Sequence, residues 1–61
     1  MSLELAIQNL KNDSTPLGEL CEKILLDANF PRNDDDETIL NYLLDYKNRF
    51  PEVAHLIDEL I

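Results

Sequence analysis

The sequence predicts an all-α fold, a compact four-helix bundle made by a single domain that spans residues 1–61. Apolar residues recur at the three- and four-residue spacing of amphipathic helices, and no segment shows the alternation of a half-buried strand. Residues that favour helix starts precede the apolar stripes. A chain of 61 residues is also too short for more than one domain.

The first half of the chain predicts two helices. Ser2 can cap the first, because its hydroxyl can accept a hydrogen bond from a free amide of the first turn, and this helix ends near Leu10. Thr15 is a suitable cap for the second, and Pro16 fits its first position. We expect Asn29 to end it in a left-handed conformation. Its apolar stripe consists of Leu17, Leu20, Cys21, Ile24, Leu25 and Ala28.

Gly18 lies inside the second predicted helix. A glycine in a helix interior costs roughly 1 kcal/mol relative to alanine. A close approach of another part of the backbone to the helix is one reason for a glycine at this position.

The second half predicts two further helices. Asp34 and Glu37 have the spacing of a capping box at the start of the third, and Pro51 starts the fourth. We expect Phe50 in the core at the junction between them. Apolar residues of the third helix surround more than one face, which is typical of a helix that is central or leaves one face for a partner. They are Ile39, Leu40, Tyr42, Leu43, Leu44 and Tyr46; the fourth stripe is Val53, Leu56, Ile57 and Leu60.

The net charge of −8 disfavours two classes of partner, nucleic acids and anionic membranes. The chain has 13 acidic and five basic residues, so phosphate backbones and anionic lipids are repelled. The basic residues are few and dispersed, which disfavours direct nucleic-acid binding. Apolar runs are three residues or shorter, so we predict no transmembrane helix and no signal peptide, and expect a cytoplasmic protein.

The sequence offers no set of residues for catalysis, a metal or a cofactor. Cys21 could be a nucleophile, but it lies on an apolar stripe between carboxylates, so a core residue is the favoured interpretation. His55 has no partner at a spacing that suggests a triad, which favours a structural or surface role. The acidic cluster Asp34, Asp35, Asp36 and Glu37 could contact a cation, but it lacks the pattern of a calcium loop, so helix capping is favoured.

An aromatic face of the third helix is the candidate partner surface. Tyr42 and Tyr46 are four residues apart and lie on one face with Ile39. If Leu40, Leu43 and Leu44 face the core, this aromatic face is left for a partner. The alternative is that the aromatic residues fill the core of a domain that has no tryptophan.

Several motifs resemble the YozE-like group of small bacterial proteins. They are Leu17-Gly18-Glu19-Leu20 with Asp27, Phe30-Pro31-Arg32, Tyr42-Leu43 and Ile57-Asp58-Glu59, within residues 14–61. The resemblance implies a four-helix fold similar to sterile-alpha-motif (SAM) domains and supplies no catalytic residues. The family's first helix is typically aromatic-rich, whereas Leu3, Leu5 and Ile7 stand here. This departure raises the hypothesis of a divergent member carried by a phage or mobile element.

Two functions remain in competition. The first is a non-enzymatic protein–protein interaction module that self-associates or binds another protein; its likeness to SAM folds is an analogy of fold alone. The second is an acidic inhibitor or DNA mimic that occupies a basic nucleic-acid-binding protein. Mimicry requires one dense acidic face, whereas the acids here are spread over every predicted helix.

Overall fold

The computed structural model describes residues 2–61 and contains four α-helices. Within these residues there is no strand, which confirms the predicted all-α fold. A 3-10 turn over Pro51–Val53 leads directly into the last helix. The helices are Leu3–Leu10 (α1), Pro16–Leu26 (α2), Asp36–Arg49 (α3) and Ala54–Leu60 (α4).

A single apolar core joins the four helices. Ile39, Leu43 and Tyr46 of α3 are buried at the i, i+4, i+7 spacing of one helical stripe. α1 and α4 each contribute one fully buried side chain, Ile7 and Ile57, so these two short helices depend on the core that α2 and α3 build. The remaining buried residues are Leu20, Cys21 and Ile24 of α2, and Phe30 of the α2–α3 connection.

The starts of α1 and α2 are the ones that the sequence predicts. The Ser2 hydroxyl accepts a 3.3 Å hydrogen bond from the Leu5 amide. The Thr15 hydroxyl accepts a 3.0 Å bond from the Gly18 amide, and Pro16 holds the first position of α2. Each cap satisfies one of the amides that a helix start leaves without an intrahelical partner.

Gly18 lies where the α1–α2 connection touches α2, which confirms a close approach of the backbone. A Cβ atom built on Gly18 would stand 2.7 Å from the Leu10 carbonyl oxygen and closer still to that of Asp13. Both neighbours are backbone atoms, which cannot move aside as the end of a flexible side chain can. A hydrogen atom at this position lets α1 and α2 pack against each other.

Two predicted helix boundaries are wrong. Asp35, rather than Asp34, caps α3, and its Oδ1 accepts a 3.0 Å hydrogen bond from the Thr38 amide. Adjacent aspartates offer nearly equivalent caps, so the sequence did not distinguish them. α2 ends at Leu26 rather than at Asn29, and the one non-glycine residue with positive φ between residues 2 and 61 is Asn33, at 61°.

Two residues predicted to pack in the core lie outside it. Ala28 lies in the turn after α2 and is exposed. Phe50 is 38% exposed, although we expected it in the core. Its ring packs beside Tyr46, with 4.7 Å between centroids, at the margin of the core. The backbone of Phe50 leaves the helical conformation at the end of α3, which turns the ring outward.

Candidate functional site

The predicted aromatic partner surface is wrong for two of its three residues. Ile39 is fully buried and Tyr46 is 7% exposed, so neither is available to a partner. Tyr42 is half-buried. The condition that Leu40, Leu43 and Leu44 all face the core is not met, since Leu44 is 42% exposed. Because α3 is apolar on several faces, its periodicity did not show which face the other helices would cover.

The aromatic side chains form a connected row along the α2–α3 side of the core. Phe30 meets Tyr42 edge to face, with 5.4 Å between ring centroids. Tyr42 then lies 6.0 Å from Tyr46, which packs against Phe50. Such contacts stabilise aromatic pairs beyond the area that they bury. The row is therefore mainly a packing element, with Phe50 as its exposed end.

Tyr42 also forms the main polar contact between α3 and the end of α2. Its hydroxyl donates a 2.6 Å hydrogen bond to Oδ2 of Asp27, whose Oδ1 accepts a bond from the Asn29 amide. These two bonds lower the pKa of the Asp27 carboxyl group. Burial and the bond to Asp27 raise the pKa of Tyr42, so the phenol remains a donor.

The Asp-x-x-Phe-Pro-Arg motif builds the connection between α2 and α3. The Asp27 carbonyl accepts a bond from the Phe30 amide, and Phe30 enters the core. The Arg32 guanidinium donates to the carbonyl groups of Leu25 and Asp27 at the end of α2, and lies 5.7 Å from the Phe30 ring centroid. Cations are favourable at the negative end of a helix dipole. The motif therefore has a structural role here.

The acidic cluster serves the fold at two places. Asp35 caps α3, and its bonds to the side chain and amide of Thr38 lower its pKa. Oδ1 of Asp36 accepts a 2.9 Å bond from the Leu3 amide, which joins the start of α3 to the start of α1. A second bond joins α1 to the α2–α3 connection, where the Glu4 carboxylate accepts a 2.7 Å hydrogen bond from the Asn33 amide.

The two residues considered for catalysis, Cys21 and His55, lie in different environments. Cys21 is fully buried, and burial together with the nearby Asp13 carboxylate raises the pKa of its thiol, so it is the core residue that the sequence favoured. His55 is exposed on α4. Among residues 2–61, no group of three His, Cys, Asp or Glu side chains is placed to hold a metal ion.

The structure adds a surface groove that the sequence did not indicate. We call it the apolar groove; it lies where α1, the first turns of α3 and the end of α4 meet. Leu3, Leu40 and Leu60 are half-buried in it, and Ile61 is 57% exposed. Its full lining is Ser2, Leu3, Ala6, Asp36, Glu37, Leu40, Leu60 and Ile61.

A second groove lies at the opposite end of α3, and we call it the basic groove. Leu26, 77% exposed, and Phe50 provide its apolar surface, flanked by Lys23 and Arg49. Arg49 also pairs with Asp45 at 3.0 Å. Asp27, Asn29 and Tyr46 complete the lining. Two of the five basic residues thus line one groove, beside the Asp27 carboxylate.

Both grooves were missed because each is assembled from separate helices. Leu3, Leu40 and Leu60 belong to three helices, and in the sequence each is an ordinary member of an apolar stripe. Leu26 gave a signal, since it falls off the main stripe of its helix, as does Leu5, which is 50% exposed. The signal did not show which residues would surround Leu26.

Comparison with known proteins identifies the fold of this chain. A family model described as YozE SAM-like fold matches residues 7–61, a span that includes the motifs noted in the sequence. Comparisons with curated proteins and with solved structures found no match. α1–α4 therefore form a SAM-like bundle. Across residues 2–61, no helix combines the length and the apolar character that crossing a membrane requires.

Proposed function

The chain belongs to the YozE SAM-like family, and from its surface we propose that it is a small, acidic, non-enzymatic protein–protein interaction module of the cytoplasm. The observation that carries the proposal is the apolar groove between α1, α3 and α4. A partner that covers this groove would remove apolar surface from water, which stabilises a complex by roughly 25 cal/mol for each Å² buried.

The groove is suited to binding because other residues fill the core, which leaves the apolar side chains of the groove partly exposed. Ile7, Ile39 and Ile57 fill the core and are fully buried. Leu40 and Leu60 line the groove and are only half-buried. A monomer of this size exposes single leucines routinely, but apolar residues joined in one groove are typical of interaction surfaces.

The non-enzymatic part of the proposal is supported by the placement of the reactive side chains. The Cys21 thiol is enclosed by the core and its pKa is raised, which opposes formation of the reactive thiolate. The apolar groove is lined by leucine, isoleucine and alanine side chains together with Ser2, Asp36 and Glu37. This lining provides contact area rather than a nucleophile with an adjacent base.

The alternative function, an acidic inhibitor or DNA mimic, is less well supported by the carboxylates themselves. Glu4, Asp35 and Asp36 each accept a hydrogen bond from a backbone amide of the chain. Their placement is explained by the fold, with no need for a phosphate-like pattern. Competition with DNA for a basic protein that disappears at high salt would favour this alternative.

The test is affinity capture from the native host beside sedimentation of the pure protein. We expect the wild-type chain to retain a specific protein or to form concentration-dependent oligomers. Ala6→Leu, which places a larger side chain in the apolar groove, should weaken either association. Leu26→Ser, an exposed change in the basic groove, is the matched control and should leave it unchanged. A strictly monomeric chain that captures nothing would contradict the proposal.

A further inference from the structure

We propose that the apolar groove receives a basic amphipathic helix of another protein. This inference rests on the proposed function and names the chemistry of the partner. It is drawn from the charge around the groove, the position of the basic residues, and the helices that form the groove walls.

The charged side chains that line the groove are all acidic. Asp36 and Glu37, in the first turn of α3, stand at its edge, and its eight lining residues include no Lys, Arg or His. Helix ends contribute both signs here, because α1 and α3 begin at the groove and α4 ends there, so the two carboxylates determine its charge. Lysine or arginine side chains beside an apolar stripe would meet this edge with opposite charge.

The basic residues lie away from the groove. Lys23 and Arg49 line the basic groove, and Arg32 lies over Phe30 at the end of α2. α3 runs from acidic residues in its first turn to Lys47 and Arg49 in its last, a distance of about 20 Å. Lys47 and Arg49 are paired with acidic residues, whereas the charged side chains of the apolar groove are acidic alone, in a molecule whose net charge is −8. That charge attracts a basic partner from a distance.

The walls of the groove favour a helical partner. α1, α3 and α4 provide its lining, and residues 2–61 offer no strand edge to which an extended peptide could pair. An amphipathic helix binds such a groove by laying its apolar face along the floor, with anchors at i, i+3, i+4 and i+7. A second copy of this chain is a poorer occupant, because it carries the same charge of −8.

The test uses a synthetic helical peptide as the probe. It has about 14 residues, or four turns, with leucines at i, i+3, i+4 and i+7 and lysines at the flanking positions. A scrambled peptide of the same composition, whose leucines no longer share a face, is the control for charge alone. Binding to the full chain is measured by calorimetry at physiological ionic strength.

Two charge reversals separate the groove from the net charge. Glu37→Lys changes the groove edge, whereas Glu22→Lys makes the same change in net charge at an exposed position of α2 outside it. We expect Glu37→Lys to weaken peptide binding about fivefold, since an attractive pair becomes a repulsive one, and Glu22→Lys to weaken it less than about twofold. Ala6→Leu should weaken binding without any change in charge.

Several results would overturn the inference. Equal binding of the scrambled peptide, or equal weakening by the two charge reversals, would show attraction by net charge without a groove. Self-association of the pure chain that Ala6→Leu abolishes would show that the occupant is a second copy. If the peptide fails to bind while capture of a host protein still depends on Ala6, this inference fails and the proposed function stands. If capture is independent of Ala6, the proposed function fails at this groove.

Discussion

The Tyr42 hydroxyl donates a 2.6 Å hydrogen bond to Oδ2 of Asp27 and so joins the middle of α3 to the residue at which α2 ends. Asp27 leaves the helical conformation, with φ −70° and ψ 126°. Its carboxylate is then held between the Tyr42 hydroxyl and the Asn29 amide. This contact fixes where the α2–α3 connection leaves α2, and the connection carries Phe30 into the core.

Loss of the Tyr42 hydroxyl should destabilise the fold. We expect Tyr42→Phe to lower the free energy of unfolding by about 1 kcal/mol, because one partly buried hydrogen bond is lost. For a domain of this size that corresponds to a fall of roughly 4–8 °C in Tm, measured by circular dichroism. Tyr46→Phe is the control, since within residues 2–61 the Tyr46 hydroxyl makes no such bond to a carboxylate. An equal loss in the two variants would contradict this role of Tyr42.

The Asp27 contact also predicts that the stability of the fold depends on pH. The Tyr42 hydroxyl and the Asn29 amide lower the pKa of Asp27 in the folded state below its ordinary value of 3.8. The folded state thus gains stability from ionised Asp27 above pH 3.8 and loses it as the pH falls through the lowered pKa.

The variant Asp27→Asn isolates this contribution from those of the other carboxylates. It should be less stable than wild type at pH 7. The difference should shrink as the pH falls from 3.8 through the lowered pKa of the folded state, because below that pKa Asp27 is protonated, and so uncharged, in both the folded and the unfolded state. Urea unfolding at a series of pH values measures the difference. A gap that stays constant down to the lowest pH would show that the charge of Asp27 has no part in stability.

At Gly18 we expect alanine to destabilise the protein, which is the opposite of its usual effect in a helix interior. Alanine normally favours a helix by roughly 1 kcal/mol over glycine. Here the added methyl group would meet the carbonyl oxygens of Asp13 and Leu10, and such overpacking typically costs about 1–3 kcal/mol. We expect Gly18→Ala to be destabilising in urea unfolding and Glu22→Ala, an exposed change on the same helix, to be nearly neutral. A stabilised Gly18→Ala would refute the close approach.

Neighbouring residues of α2 should respond very differently to truncation. Ile24 is fully buried, so Ile24→Val should cost about 0.5–1.5 kcal/mol of unfolding free energy. Leu26 is 77% exposed, and Leu26→Ala should change stability by less than about 0.5 kcal/mol. Similar losses at the two positions would mean that Leu26 is covered in solution.

The buried thiol predicts slow reaction of Cys21 with a thiol reagent. Burial and the Asp13 carboxylate raise its pKa, so the folded chain presents little accessible thiolate at pH 8. We expect labelling to be fast in urea and slow in buffer, as followed by absorbance of the released chromophore. Equal rates in both conditions would contradict the burial of Cys21.

The sequence predicted the features that local chemistry determines. Thr15 and Pro16 start α2 as expected, and Cys21 lies in the core. The sequence did not predict which face of α3 is buried. Ile39 and Leu40 are equally apolar, and which of the two is buried depends on how α1 and α4 pack. The apolar groove was missed for the same reason, because its leucines come together only when three helices pack against one another.

The most direct test of the central claim, that the apolar groove is the interaction surface, is mapping of the basic amphipathic peptide by NMR. Titration into the isotope-labelled chain should shift the amide signals of Leu3, Ala6, Glu37, Leu40 and Leu60, and leave those of Lys23 and Leu26 in place. Shifts that cluster around the basic groove, or that spread evenly over the acidic surface, would contradict the claim.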